Sequence, residues 1–279
     1  MPELPEVETT RRGIEPWLNG YSVEGITVRN PNLRWPVDLP DVLLGQRILS
    51  VQRRAKYLIL QFAQGCILGH LGMSGSLRVL DPGEPIKKHD HLDILFSSHK
   101  VLRYNDPRRF GSWQFYAAEP NSHWLLKDLG IEPLSDSFSG KFLHKMSRSK
   151  AQVVKSFIMD AKVVVGVGNI YANEALFLAG IRPSVRSSRL SLRAYENLAL
   201  AIKTLLERAI KIGGTTLRDF TNANGEPGYF QQTLRVYGRE GKPCKNCGKT
   251  LKKMVISQRS SFYCTYCQGI KSINVRPIN

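Results

Sequence analysis

The chain of 279 residues is short of several things. No apolar run approaches the ~18–20 residues that a membrane-spanning helix needs. The first residues, Met1-Pro2-Glu3-Leu4-Pro5-Glu6, hold two acids and no apolar stretch, so they do not read as a secretory signal. Acids are scarce: 23 Asp+Glu stand against 40 Lys+Arg. Cysteine is scarce too, at five. What remains, 42% hydrophobic and 23% charged, excludes disordered and collagen-like chains and predicts a soluble, intracellular, globular protein. The length exceeds what one core usually serves, so two domains and a small module are expected.

The excess of +17 is uneven. Residues 181–279 carry 18 Lys+Arg and 5 Asp+Glu, whereas residues 1–180 carry 22 and 18. A cationic surplus concentrated in one part favours a polyanion partner there, nucleic acid before anionic membrane, because neither a basic amphipathic terminal helix nor a lipidation site is evident.

Four of the five cysteines, Cys244, Cys247, Cys264 and Cys267, form C-x2-C-x16-C-x2-C. Each C-x2-C turn can offer two sulfurs to one ion, and two such turns complete a tetrahedron. The reading is one structural Zn2+, two disulfides being disfavoured in an intracellular chain. Cys66, in the apolar run Gly65-Cys66-Ile67-Leu68, reads as core.

Along the chain, Pro5 and Gly20 frame a helix at about 5–18. From 22 to about 116, short alternating runs such as His91-Leu92-Asp93-Ile94-Leu95, broken by turns such as Asp81-Pro82-Gly83, predict many strands in a sandwich or barrel. Beyond 122 the period is helical. Leu198, Ile202, Leu205, Leu206, Ala209 and Ile210 mark one long amphipathic helix over 190–212. Residues 215–240 are Gly-, Asn- and Thr-rich and read as a mobile loop.

Pro2 is the first chemical candidate. Removal of Met1 would expose a secondary α-amine, whose class has a pKa of about 7.7–8.0 against about 10.4 for lysine. Such an amine can attack a sugar C1′ and form an iminium ion, with Glu3 beside it as acid/base. From these two residues alone, a Pro-Glu helix start is the commoner meaning.

Four motifs in order alter that balance: MPELPEVET at the terminus, NDPRRFG at 105–111, GVGNIYANEALF at 166–177, and the cysteine finger with Gln258-Arg259. Together they resemble bacterial formamidopyrimidine-DNA glycosylases, base-excision enzymes for oxidised purines, over essentially the whole chain. The sister endonuclease VIII group shares the terminal Pro-Glu but typically continues Gly-Pro-Glu, and Leu4 fits the purine branch.

The resemblance implies an α+β fold. It would have an N-terminal β-sandwich with an N-terminal helix (1–120), a helical domain with a helix–two-turn–helix motif and a lesion loop (121–228), and a four-cysteine β-hairpin zinc finger (229–279). It implies Pro2 as nucleophile, Glu3 as acid/base, and Glu6 as support, although helix N-terminal stabilisation explains Glu6 equally. Lys56 and Arg259 would contact lesion phosphates and assist elimination. On residue type alone Lys56 is a solvated charge before a strand. Met73, Arg108 and Phe110 would fill the void left by an extruded nucleotide, Arg108 pairing with the orphaned cytosine; without the pattern Met73 and Phe110 read as core. His89, Lys150, Lys155 and Asn169 would grip phosphates, although Ser147-Arg148-Ser149 departs from a more lysine-rich version. Asn169 would also cap its helix. The implied activity is a monomeric, cytoplasmic, nucleoid-associated DNA glycosylase/AP lyase. It would excise 8-oxoguanine opposite C and formamidopyrimidines by β,δ-elimination, acting on double-stranded DNA with oxidised purines or abasic sites. The remaining readings are the same chemistry on oxidised pyrimidines, or a non-catalytic nucleic-acid-binding protein.

Overall fold

The computed structural model describes residues 2–213 and 234–269, which form two compact units, 2–128 with 210–213 and 129–209 with 234–269. In the first, α1 (Leu4–Leu18) precedes eight strands: β1 (Val23–Val28), β2 (Ser50–Arg54), β3 (Tyr57–Gln61), β4 (Cys66–His70), β5 (Ser76–Leu80), β6 (Asp90–Phe96), β7 (Lys100–Asn105) and β8 (Ser112–Tyr116). They pair as two four-stranded antiparallel sheets, β1-β6-β7-β5 and β2-β3-β4-β8.

Alternation builds the layers. In β6, Leu92, Ile94 and Phe96 enter the core, where they meet Leu58, Leu60 and Ile67 from the other sheet and Val7, Ile14 and Leu18 from α1. The helix thus shares the core of both sheets. Cys66 is fully buried, as expected of a core residue, and burial pushes its thiol up to about 11. On the opposite face of β1-β6-β7, a cavity of about 500 Å³ is lined by Arg29, Asp93 and Arg103 and contains none of the candidate residues.

The second unit carries α2 (Gly140–Ser147), α3 (Val154–Met159), α4 (Asn169–Leu178) and α5 (Leu192–Lys211), then the hairpin β9 (Lys252–Ile256) and β10 (Arg259–Tyr263). In α5, Leu198, Ile202, Leu205, Leu206 and Ala209 are buried on one stripe. The fold is therefore α+β, with the sheets, helices and cysteine hairpin in the order expected. Among the described residues no helix is long and apolar enough to cross a membrane. Of the expected loop over 215–240, residues up to 233 lie outside the described residues. From Leu234 onward the chain is clasped: Glu174 on α4 accepts the backbone N–H groups of Arg235, Val236 and Tyr237, each at 2.8 Å.

Candidate nucleic-acid site and zinc centre

At the N-terminus, Pro2 is buried and Glu3 and Glu6 are each 2% exposed. Glu3 is the N-cap of α1, and its backbone N–H donates to Glu6 Oε2 at 2.8 Å. The Glu3 side chain accepts from the Glu6 backbone in return, so the two form a capping box, with glutamate doing at both positions what Ser and Glu usually do. It fixes the Pro2–Glu3 peptide against the first helical turn.

A second cluster lies where the turn after β4 meets the loop before β8. Asp106 is fully buried and accepts from Ser74 Oγ (2.7 Å), Tyr104 Oη (2.9 Å), Gly111 N (2.9 Å) and Arg108 N (3.3 Å). Its own carbonyl is bonded to His91 Nε2 at 2.8 Å. One carboxylate therefore ties the turn carrying Met73 to the loop carrying Arg108 and Phe110. Gly72 brings the backbones together: it sits at φ +69°, and a Cβ there would lie 2.5 Å from Phe110 C and Gly111 N. The loop then turns outward. Arg109 N donates to Asp106 O at 3.2 Å, Arg108 is exposed, and Phe110 is 45% exposed with the Arg108 guanidinium 5.0 Å from its ring centre. Phe110 is thus not core; Met73 is half-buried.

Sequence reasoning missed the neighbours of this cluster. His70, ending β4, accepts from Gly72 N through Nδ1 at 3.0 Å and packs 4.8 Å from the Tyr57 ring. Burial, then the nearby Lys56 and Arg34 cations, push its imidazole down to about 4, so it is neutral at pH 7. Arg34, whose N–H donates to Gly111 O at 3.1 Å, rests its guanidinium 4.7 Å from the Trp35 ring centre. The turn signal at Asp106-Pro107 was legible; the partners Ser74 and Tyr104 were not. His89 is half-buried in a left-handed conformation (φ +71°) and accepts from Asp106 N through its carbonyl at 3.0 Å; His91 is buried in β6.

In the second unit, α4 begins where the glycine-rich motif ends. Gly168, rather than Asn169, occupies the N-cap position, because the backbone turns one residue earlier than expected. Asn169 is the first helical residue, half-buried, and its carbonyl accepts from Asn173 Nδ2. Asn173 Oδ1 in turn accepts from Phe262 N at 2.7 Å, linking α4 to the cysteine hairpin. Lys150 is half-buried on the link from α2 to α3.

Lys155, expected at a phosphate, lies inside the second unit. It is 1% exposed, and its ammonium donates to Ser260 O at 2.8 Å and Ser261 Oγ at 2.7 Å. A buried ammonium needs such acceptors, and these two lie on the hairpin. Its neighbour Ser156 shares a 2.9 Å hydroxyl contact with Ser257. Ser257 and Gln258, the two turn residues between β9 and β10, both have positive φ (47° and 60°), a pairing that Asn-Gly usually supplies. The turn presents Arg259, which is exposed and makes no ion pair among the described residues.

The sulfurs of Cys244, Cys247, Cys264 and Cys267 all lie within 4.8 Å of one another, with Cys244–Cys267 at 3.9 Å and Cys247–Cys264 at 3.5 Å. A tetrahedron of Zn–S bonds of ~2.3 Å has sulfurs about 3.8 Å apart, so the set fits one structural zinc ion with no ligand position left open. All four are free thiols rather than disulfides. Around them Val236, Leu251 and Phe262 pack with Phe177 of α4.

Exposed arginines without carboxylate partners, set on turns that buried polar groups hold in place, suit the polyanion partner that the charge favours. The class so defined is a zinc-finger DNA-binding protein. Residues 1–113 match the formamidopyrimidine-DNA glycosylase N-terminal domain, 129–221 the formamidopyrimidine-DNA glycosylase H2TH domain, and 241–269 the zinc finger found in FPG and IleRS. The chain is 54% identical over 270 residues to the formamidopyrimidine-DNA glycosylase of Marinobacter nauticus, covering 96% of this chain and 100% of that one. It superposes with a TM-score of 0.89, at 33% identity and over 96% of its length, on a mutant Lactococcus lactis FPG in complex with a Fapy-dG containing DNA, of which it covers 100%. The same score, identity and 96% coverage relate it to the L. lactis Fpg complex with an abasic site containing DNA, of which it covers 99%. The chain belongs to the formamidopyrimidine-DNA glycosylase family, DNA glycosylases of base excision repair.

Proposed function

We propose that the chain is a bifunctional DNA glycosylase/AP lyase acting on oxidised purines, 8-oxoguanine opposite cytosine and formamidopyrimidines, with Pro2 as its nucleophile. The observation that carries this reading is the N-terminus itself: a proline followed by two buried glutamates, one of which accepts the peptide N–H next to that proline. The capping box serves the helix start, but it does not require its N-cap carboxylate to adjoin the residue whose nitrogen Met1 removal would expose, as proton transfer at that nitrogen does.

With Met1 removed, the Pro2 nitrogen attacks C1′ and the base departs with the glycosidic electron pair. Glu3 protonates the sugar ring oxygen as the ring opens, leaving an iminium between Pro2 and C1′. That cation acidifies the C2′ proton. Its removal expels the 3′-phosphate, and a second elimination expels the 5′-phosphate, which leaves a one-nucleotide gap. Lys56 and Arg259 neutralise the phosphates that flank the lesion. Met73 and Phe110 fill the vacated stack, and Arg108 donates to the orphaned cytosine. His89, Lys150 and Asn169 serve the flanking backbone. Lys155 acts at one remove, holding the hairpin that bears Arg259. The zinc ion, when bound, rigidifies that hairpin. The protein works as a cytoplasmic monomer.

The test is a comparison of substrates and product ends. Duplexes carrying 8-oxoguanine or thymine glycol opposite their usual partners are incubated with the protein, and the fragments are resolved by length and terminal phosphate. The reading requires preferential cutting at 8-oxoguanine with phosphates on both ends of the gap. Preference for thymine glycol would reassign the substrate to oxidised pyrimidines, and binding without cutting would overturn the enzyme reading.

A further inference from the structure

The hairpin joining β2 and β3 is closed by just two residues, Ala55 and Lys56, since Arg54 pairs with Tyr57. Ala55 sits at φ +55°, a left-handed conformation that glycine or asparagine ordinarily takes in so tight a turn. Something must hold the bend. The Ala55 carbonyl accepts from Arg53 Nη1 at 2.8 Å, and the Nε of the same guanidinium donates to Glu8 Oε2 at 3.1 Å. Glu8 lies on α1, five residues beyond Glu3. It also accepts from Arg11 and Arg12, and Arg11 Nη1 reaches Val51 O of β2 at 3.1 Å. The helix that begins two residues after the candidate nucleophile is thereby laced to the strand that ends at the Lys56 turn. The Arg53 and Glu8 side chains are only 11% and 12% exposed, so the link is shielded from water and salt.

We propose that Arg53 is a positioning residue for Lys56: by bridging Glu8 on α1 to the carbonyl of Ala55, it sets where the Lys56 ammonium stands relative to Pro2 and Glu3. The inference rests on the proposed function, in which Lys56 meets a phosphate of the nucleotide that Pro2 attacks. A guanidinium suits the task because Nε and Nη1 serve two acceptors at once in a fixed plane; a lysine there would keep the charge and lose the bridge.

Binding of a duplex with a tetrahydrofuran abasic analogue opposite cytosine tests it, using the full zinc-loaded chain as wild type, Arg53→Ala, Arg53→Lys, Lys56→Ala and the Arg53→Ala/Lys56→Ala pair. If Arg53 acts through Lys56, Arg53→Ala weakens binding about fivefold or more with Lys56 present and less than about twofold without it. Arg53→Lys then behaves like Arg53→Ala. Equal losses in both backgrounds, or rescue by Arg53→Lys, would overturn the inference by giving Arg53 a direct or merely electrostatic part. Should Arg53→Ala fail to fold, Glu8→Gln keeps the Ala55 bond and predicts the same dependence on Lys56 with a smaller loss. Wild type that cannot tell the abasic duplex from an intact one would fell the functional reading as well; wild type that can, with additive losses, would fell this inference alone.

Discussion

Asp106 has no need to touch DNA in order to matter to it. Its carboxylate collects four donors from two separate chain segments, and both segments then present their tips outward. Asp106→Ala strips partners from buried donors at once, so a loss of about 2–4 kcal/mol in unfolding free energy is expected from urea titration. Lesion excision by the folded fraction should fall at least about tenfold, because Met73 and Phe110 lose their common anchor. An active, fully stable Asp106→Ala variant would contradict this account of the cluster. His70 makes a separate statement about pH. Unfolded, it protonates near 6.5; folded, burial and then its cationic neighbours delay that to about 4. Stability is therefore lost as pH falls from about 6.5 toward 4 and levels off below, by on the order of 3 kcal/mol from this residue. His70→Gln should flatten that limb of the stability–pH curve, and the His70 resonance in an NMR titration should move only near pH 4.

Elements turn on backbone geometry as much as on side chains. Gly72 has a positive φ and backbone atoms 2.5 Å from where a Cβ would stand, so Gly72→Ala must push the Met73 turn away from Phe110. The expected outcome is weakened lesion binding with the zinc content unchanged, read by titration against abasic-site duplex and by metal analysis. The cysteine hairpin is held differently, by its ion and by a small core with Phe177. Stripping zinc with a chelator should release the hairpin and lower DNA affinity at least about tenfold, while the near-ultraviolet signal of Trp113, buried between the sheets, stays. At this scale the sequence was largely readable. Strands alternate, α1 and α5 carry their stripes, and C-x2-C turns are local, so each could be read within a window of neighbours. The Gly168 cap escaped by one residue, since Asn and Gly both suit that position and only the backbone decides.

For the molecule as a whole, the legible and the hidden parts divide by sequence separation. The cysteines announce themselves within a few residues, as does the Pro2-Glu3 start on which the proposed chemistry rests. Lys155 looked like a surface cation among other cations, and only the fold brings it to Ser260 and Ser261, 105 and 106 positions away. The Asp106 partner Ser74, 32 positions away, and the Glu174 clasp on residues 235–237 were hidden for the same reason: no short window contains both ends of the bond. Tyr104 stands only two residues from Asp106 but reads as an ordinary strand aromatic. Charge, by contrast, is a property of the entire chain. With a formal +17, binding to DNA should weaken steeply with salt, log K falling by about 0.9 per phosphate neutralised for each tenfold rise in salt. Arg259→Ala should reduce that slope by about one unit, which a salt series on intact duplex would reveal.

The central claim is that the Pro2 amine carries the chemistry, and borohydride trapping tests it most directly. The protein is mixed with a duplex containing 8-oxoguanine opposite cytosine, sodium borohydride is added, and the covalent adduct is sought by gel and located by peptide mass. The account predicts an adduct on Pro2 with the Met1-free protein and none with a form that keeps Met1. An adduct on a lysine, or one that forms equally well with Met1 in place, would contradict it.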